Sequence, residues 1–319
     1  MRNQENLLVI SSSPHMHAPD SVPSAMRDVL IALTPAFLLS LYYFRLEALL
    51  VIITCVAFAA ISEIICQKIM KREVTISDNS AVLTGVLLAF CLPPGFPLWM
   101  AAIGAVVSIV IGKQFFGGLG YNIFNPALIG RAFLVASWPL AMTTWQSPID
   151  AVSTATPLGI IKEGAVQELP ALINSFTGNI AGSLGETSVL ALLIGGAYLL
   201  YKRHIDWRIP FTFIGTVFVA TAIAGFSKGE GFWYPVFHIF SGGLMLGAFF
   251  MATDWVTSPI TKKGRIIFGI GCGLLTVLIR LKGGYPEGVA YSILLMNILA
   301  PLIDRYTKDR VFGRVKTHA

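Results

Sequence analysis

Ten apolar runs divide this chain, and their spacing confines it to one class of fold. They cover residues 26–44, 46–67, 79–92, 97–112, 122–138, 188–201, 208–226, 235–253, 264–279 and 286–304. A straight helix needs about 20 apolar residues to cross a bilayer, and several runs approach that length. Charged residues make up 13% of the chain against 55% hydrophobic, and mean hydropathy is +0.72. That charge share is about half of what a soluble domain uses, too little polar surface to face water all round. The sequence therefore specifies an all-α polytopic membrane protein of about ten transmembrane helices. Runs 79–92 and 122–138 are short and interrupted by Gly or Pro. At membrane depth such pieces are expected as broken helices, buried in protein or lining a cavity.

Charge sets the orientation. With the N-terminus in the cytoplasm and strict alternation, 16 Lys and Arg fall on the cytoplasmic side and 5 outside. The cytoplasmic set includes Lys68, Lys71, Arg72, Lys113, Lys202, Arg203 and the basic tail; the outer set is Arg45, Lys162, Lys228, Arg280 and Lys282. Positive loops stay inside, so both termini are expected in the cytoplasm and the loop 139–187 outside. The first 25 residues carry no long apolar h-region, so the first membrane helix is expected to act as the insertion signal. The net charge of +6 is scattered between apolar runs, which argues for orientation signals and against nucleic-acid binding.

The chain also repeats itself. Segment starts 26 and 46 recur at 188 and 208, an offset of 162. At that offset Asn79–Gly85 resembles Ser241–Gly247, and at an offset of 166 Gly117-Gly118 recurs at Gly283-Gly284. Five segments per unit is an odd number, so the two units point in opposite directions. The expected architecture is two inverted five-helix repeats, residues 26–138 and 188–304, with some helices broken. A cytoplasmic segment 1–25, an outward loop 139–187 and a cytoplasmic tail 305–319 complete the chain.

Polar groups within apolar text are expensive at membrane depth and face partners or cavities. Glu63, Asp304 and Arg27 lie near segment ends and read as interfacial anchors; Asp254 sits beside Trp255, with an interface position equally open. Arg131 lies deeper and requires a partner that the sequence does not name. His238, alone in an apolar run, reads as a helix-packing residue. No histidine spacing suits a metal. The four cysteines form no CxxC pair and read as buried small hydrophobes. No GxGxxG or Walker loop occurs.

The longest polar interval holds Asp150-Ala151-Val152-Ser153-Thr154-Ala155-Thr156-Pro157-Leu158. Small side chains before a proline leave the backbone accessible, because Pro157 prevents a helix from running through. On composition this is a polar loop between helices whose hydroxyls a modifying enzyme could reach.

Four strings together resemble one family: Ser12-Ser13-Pro14-His15 with Met26-Arg27-Asp28 onward, Gly117-Gly118-Leu119-Gly120-Tyr121-Asn122-Ile123-Phe124-Asn125-Pro126-Ala127, the central string, and Gly284-Tyr285-Pro286-Glu287-Gly288 through Asp304. The chain resembles RnfD, the membrane component of the Rnf ferredoxin:NAD⁺ oxidoreductase complex, and is similar also to the B-type component of the sodium-translocating NADH:quinone reductase. The likeness runs over nearly the whole chain. It implies FMN joined through its phosphate to a threonine, installed by a flavin transferase, and a non-covalent riboflavin. The family's acceptor pattern falls on Asp150, Ser153, Ala155 and Thr156, with Thr156 the acceptor. Thr154 stands where that pattern often has glycine, which adds a competing hydroxyl. The resemblance further implies other Rnf subunits and lipids as partners, a bacterial or archaeal plasma membrane, coupling to Na⁺ or H⁺ movement, and no complete active site in this chain alone. The quinone-reductase relative has a longer N-terminal region, and only about 25 residues precede the first span here, so RnfD is the nearer likeness. A urea- or ammonium-type channel and a flavin-free scaffold are the other classes open to an inverted repeat.

Single cysteines introduced in the C-terminal tail and in the loop 160–170 should label from opposite sides of intact cells. Labelling of both from outside would overturn the orientation.

Overall fold

The computed structural model describes residues 21–146, 148, 156–163, 170–186, 188–285 and 287–308. Among them the regular elements are helical: α1 (Val22–Ile69), α2 (Ser80–Phe90), α3 (Leu98–Val110), α4 (Pro126–Ser137), α5 (Pro139–Thr143), α6 (Pro157–Glu163), α7 (Leu172–Thr177), α8 (Val189–Tyr201), α9 (Arg208–Lys228), α10 (Trp233–Phe240), α11 (Leu244–Met251), α12 (Lys262–Lys282) and α13 (Val289–Tyr306). Every apolar run expected from the sequence coincides with one or two of these. Five helices are long and apolar enough to cross a membrane, or six if the bent pair α10–α11 counts as one span.

The lengths divide the helices into two kinds. α2, α4 and α8 have 11, 12 and 13 residues, hence about 16–20 Å at 1.5 Å per residue. That is well short of the ~30 Å hydrocarbon core. α1, at 48 residues, is more than twice long enough, but Arg45 breaks it with φ 49°, ψ −125°. Its two halves correspond to the separate runs 26–44 and 46–67. α10 and α11 meet at 62°, and the bend is made by Gly242 and Gly243, with φ 75° and 64°. Side chains other than glycine rarely hold those values. The last turns of α11 are π-helical, Gly247–Met251, a geometry found mostly as local bulges at functional sites.

Lipid tails give helices no hydrophobic reason to associate, so close backbone approach must do it. Gly269 and Gly273, four apart on α12, lie against Thr212 and Thr216 of α9. Likewise α2 packs into the second half of α1, where a Cβ on Gly85 would lie 2.7 Å from Val56 Cα. Cys55, Cys91 and Cys272 are buried, and all four cysteines are free.

Glu63 is not the interfacial anchor its place in the sequence suggests. It is fully buried, and its Oε1 accepts from Lys113 Nζ at 2.6 Å, Gln114 Nε2 at 2.9 Å and Gln67 Nε2 at 3.2 Å. Lys113, expected as a cytoplasmic loop charge, is 1% exposed and also donates to Ser80 Oγ at 2.5 Å. Asp304 does sit near a helix end, accepting from the Ile260 and Thr261 amides at 3.0 and 3.2 Å.

Lys113→Met should lower the apparent thermal unfolding midpoint of the purified protein sharply, since stranding the Glu63 carboxylate costs about 4 kcal/mol. Adding Glu63→Leu should restore most of the loss. A single variant as stable as wild type would show that the pair carries no such weight.

Candidate functional site

Thr156 lies directly before α6. Its Oγ1 accepts from the Gly159 amide at 3.2 Å and its carbonyl accepts from the Ile160 amide at 3.0 Å. A hydroxyl residue at the cap followed by proline at the first helical position is a favoured helix start. So the proline expected to stop a helix here opens one instead. Thr156 is 6% exposed. Asp150, Ser153 and Ala155, the other members of the acceptor pattern, lie outside the described residues, as does Thr154.

α6 docks on the break between α10 and α11. Leu158 packs against Gly242, where a Cβ would approach its Cδ1 to 2.2 Å. Lys162 Nζ donates to the Gly283 carbonyl at 2.5 Å. The same break is held from α12 by Arg280, which donates to the carbonyls of His238 at 2.6 Å, Ser241 at 3.0 Å and Gly242 at 3.2 Å. Arg280 is 4% exposed, so it too is no loop charge. His238 packs edge-on against Tyr234, ring centroids 4.6 Å apart. Its two ring nitrogens have no hydrogen-bond partner among the described residues.

Beside this break is a cavity of about 60 Å³, room for a few water molecules. Arg131, Glu186, Glu287, Trp145, Tyr285 and Tyr291 line it. Arg131 finds here the partner its depth demands: Nη2 pairs with Glu287 Oε2, and Nη1 donates to the Cys91 carbonyl at 2.7 Å. Glu287 Oε1 is buried without a partner among the described residues. Glu186 lies against Gly243, its Oε1 2.9 Å from where a Cβ would stand. Burial and the Glu287 carboxylate push the Glu186 carboxyl up, against the pull of Arg131.

A second polar cleft lies by the Glu63 cluster. Ser80, Thr84, Lys113, Asn122, Asn125 and Asp254 line it, and Asn122 Oδ1 is buried without a partner among the described residues. Leu83, Leu87 and Asp254 are shared with an apolar cleft that continues to Phe249, Phe250 and Trp255.

Of the residues singled out in the sequence, Thr156 and Arg131 therefore flank one break, while Asp254 lines the clefts around the start of α2 and Glu63 pairs with Lys113 on their wall. Glu186 carried no sequence signal, because it stands in a Gly-rich loop string rather than within an apolar run.

Known proteins match the chain from end to end. The model of the NQR2, RnfD, RnfE family matches residues 9–313. The chain belongs to this family. A protein of Clostridium ljungdahlii, named as the D component of a proton-translocating ferredoxin:NAD(+) oxidoreductase complex, is 51% identical, with 97% of each chain covered. The D component of a Na(+)-translocating ferredoxin:NAD(+) oxidoreductase complex from Acetobacterium woodii is also 51% identical, over 97% of this chain and 96% of that one. The D component of an ion-translocating oxidoreductase complex from Escherichia coli is 38% identical, over 96% and 99%. Family membership and the apolar helices together make this a multi-pass membrane protein.

Arg131→Leu should destabilise the protein by about 3 kcal/mol, because it strands the Glu287 carboxylate and frees the Cys91 carbonyl. A thermal melt of Arg131→Leu with Glu287→Leu should recover part of the loss. An unchanged melt for the single variant would refute a structural ion pair.

Proposed function

We propose that this chain is the D-type membrane component of a ferredoxin:NAD⁺ oxidoreductase complex, relaying electrons through FMN esterified to Thr156 and coupling that flow to Na⁺ or H⁺ movement. The observation that carries the reading is 51% identity, over 97% of the chain, to two proteins so named. One of those is named for protons and the other for Na⁺, so similarity at that level does not choose the ion.

The surroundings of Thr156 suit such a group. Esterification removes the Oγ1 proton but leaves its lone pairs, so the bond from the Gly159 amide is compatible with it. The nearby cavity offers aromatic faces at Trp145, Tyr285 and Tyr291 and a guanidinium at Arg131, which suit a flat heteroaromatic ring with polar edges. At about 60 Å³ the cavity takes water, not a flavin, so these side chains would meet the edge of a ring held outside it. Bound there, a flavin supplies conversion between one- and two-electron carriers. The chain contributes the anchor, the positioning of α6 through Leu158 and Lys162, and the electrostatics. A phosphoester tether also prevents loss of the cofactor on a side that the cytoplasm does not replenish.

The riboflavin implied by the sequence resemblance is too large for the inside of the second cleft, about 50 Å³, which leaves it the mouth of that cleft and the adjoining apolar one. Asn122, Asn125, Ser80 and Lys113 can bind hydroxyls and ring edges, while Phe249, Phe250 and Trp255 supply apolar faces.

The architecture in this reading is about ten spans in two inverted repeats, 26–138 and 188–304, joined by the loop 139–187. Support comes from matched local chemistry. α2 follows Asn79 at φ 62° and α11 follows Gly243 at φ 64°. Each start is approached by one buried cation from the end of a long helix, Lys113 onto Ser80 and Arg280 onto Ser241 and Gly242. The cytoplasmic end then holds Lys113 and Asp304, the outer end Arg280 and α6. Further Rnf subunits, the flavin transferase and plasma-membrane lipids are the partners.

Peptide mass spectrometry tests the central claim. The peptide spanning Asp150–Lys162 should gain the mass of FMN less one water, on Thr156, and Thr156→Ala should insert normally but lose the adduct and electron transfer through the complex. An adduct on Thr154 would move the site by two residues. No adduct, in a cell that expresses the transferase, would remove the flavin reading.

A further inference from the structure

Two cations and two carboxylates meet at the α10–α11 break, and the flavin relay gives no task to the carboxylates. Glu186 and Glu287 line one small cavity, with Arg131 from α4 on its wall and Arg280 from α12 behind Gly242. Arg131 uses Glu287 Oε2 and the Cys91 carbonyl, which leaves Glu287 Oε1 buried and unpartnered among the described residues. An unpartnered buried carboxylate oxygen is costly while it carries charge, and binding a proton there removes that charge. Among the described residues, Tyr285 and Tyr291 are the other titratable groups on the cavity wall, apart from the Cys91 thiol. The break also touches α6, through Leu158 on Gly242, and Glu186 lies against the adjacent Gly243.

Charge decides what such a cluster can do. With both carboxylates ionised, two anions face two cations. With one proton bound, the cluster carries one net positive charge. In a water-poor site that difference is felt strongly by a neighbouring electron. The raised Glu186 carboxyl fits a pair that holds its extra proton easily.

We propose that Glu186 and Glu287 act as one acid pair that binds a proton when an electron reaches the flavin on Thr156 and releases it when the electron leaves. The proposal rests on Thr156 being the flavin anchor. In the step, the electron donor of the complex, ferredoxin in the names of the relatives, is oxidised by one electron. The pair takes one proton from water at the cavity mouth, forming one carboxyl O–H bond. When the electron moves on to the next acceptor that bond breaks and the proton returns to water. The pair thus balances the charge of each electron, and Arg131 is a positioning residue that orients Glu287.

Infrared difference spectroscopy on the purified complex tests this. The spectra compare wild type, Glu186→Gln, Glu287→Gln and Thr156→Ala. In a pH titration, wild type should show a protonated-carboxyl C=O band that Glu186→Gln abolishes. Glu287→Gln keeps an acceptor for Arg131 but removes the neighbouring charge, so the band should persist and titrate at lower pH. On electrochemical reduction at a pH above that band's midpoint, where the pair is still ionised, wild type should gain intensity in the same band, while Thr156→Ala should keep the pH-titrating band but show no gain. A titration unaffected by either Gln variant would overturn the pair. A reduction-linked gain that survives in Thr156→Ala would overturn its coupling to this flavin. The anchor itself is judged separately, by the mass adduct on wild-type Thr156, so failure of that reading cannot be mistaken for failure of the pair.

Discussion

Breaking a helix inside a membrane exposes backbone carbonyls and amides where no water can meet them, and the fold is arranged around repairing those ends. The carbonyls at the end of α10 and its turn are taken by one guanidinium, Arg280. At the end of α2, the Phe90 and Leu92 carbonyls accept from the Gly185 and Leu184 amides at 2.8 and 3.0 Å, and the Cys91 carbonyl accepts from Arg131. The carbonyl of Met251, closing α11, accepts from Asn125 Nδ2 at 3.2 Å, while Asn125 Oδ1 caps α4 through the Ala127 amide at 3.1 Å. One side chain therefore ends one helix and starts another. The loop after α7, which looks like mere linker, is structural for the same reason.

These repairs differ in kind, and the difference bears on function. Lys113 is neutralised by a carboxylate, and two side-chain amides surround that carboxylate. Arg280 donates to three backbone carbonyls, so its charge is solvated by dipoles rather than cancelled by a bonded anion. A fixed positive charge of this kind is tolerable because a guanidinium spreads it over a rigid set of donors. It also makes the break a natural resting place for negative charge, whether on a carboxylate, a phosphate or a reduced cofactor. The 62° bend between α10 and α11 and a concentrated local field thus coincide.

Much of this was legible in the sequence. The apolar runs located every long helix, and the split between 44 and 46 anticipated the break at Arg45. Period and length suffice there, because each run obeys the bilayer as solvent. The string ending in Thr156-Pro157 marked a chain interruption, although proline at a first helical position opened α6 where a stop was expected. What failed to show was depth. Glu63 and Arg280 stand near segment ends, where anchors and loop charges are normal, and only the tertiary contacts reveal that both are buried. Short helices such as α2 end in the middle of the protein, so proximity to a segment end does not mean proximity to water. Glu186 was hidden for a different reason: its surroundings include Glu287, about a hundred positions away, and no local pattern encodes that.

The docking of α6 gives Thr156, the proposed anchor, a fixed place that a free loop would lack. A flexible tether would let the cofactor sample many positions, and electron transfer and charge compensation both depend on a fixed one. Helix α6 is only seven residues long, too short to be stable alone, so its geometry must be imposed from outside. Leu158 on Gly242 and Lys162 on the Gly283 carbonyl impose it from both ends. Both contacts fall on backbone, where glycine leaves no side chain in the way. Because Gly242 is also a residue that bends α10 into α11, any shift of that bend is transmitted to the residue that begins α6. A protein that couples electron flow to ion movement needs one element shared by its redox centre and its membrane helices, and with Thr156 as the proposed anchor this bend is that element.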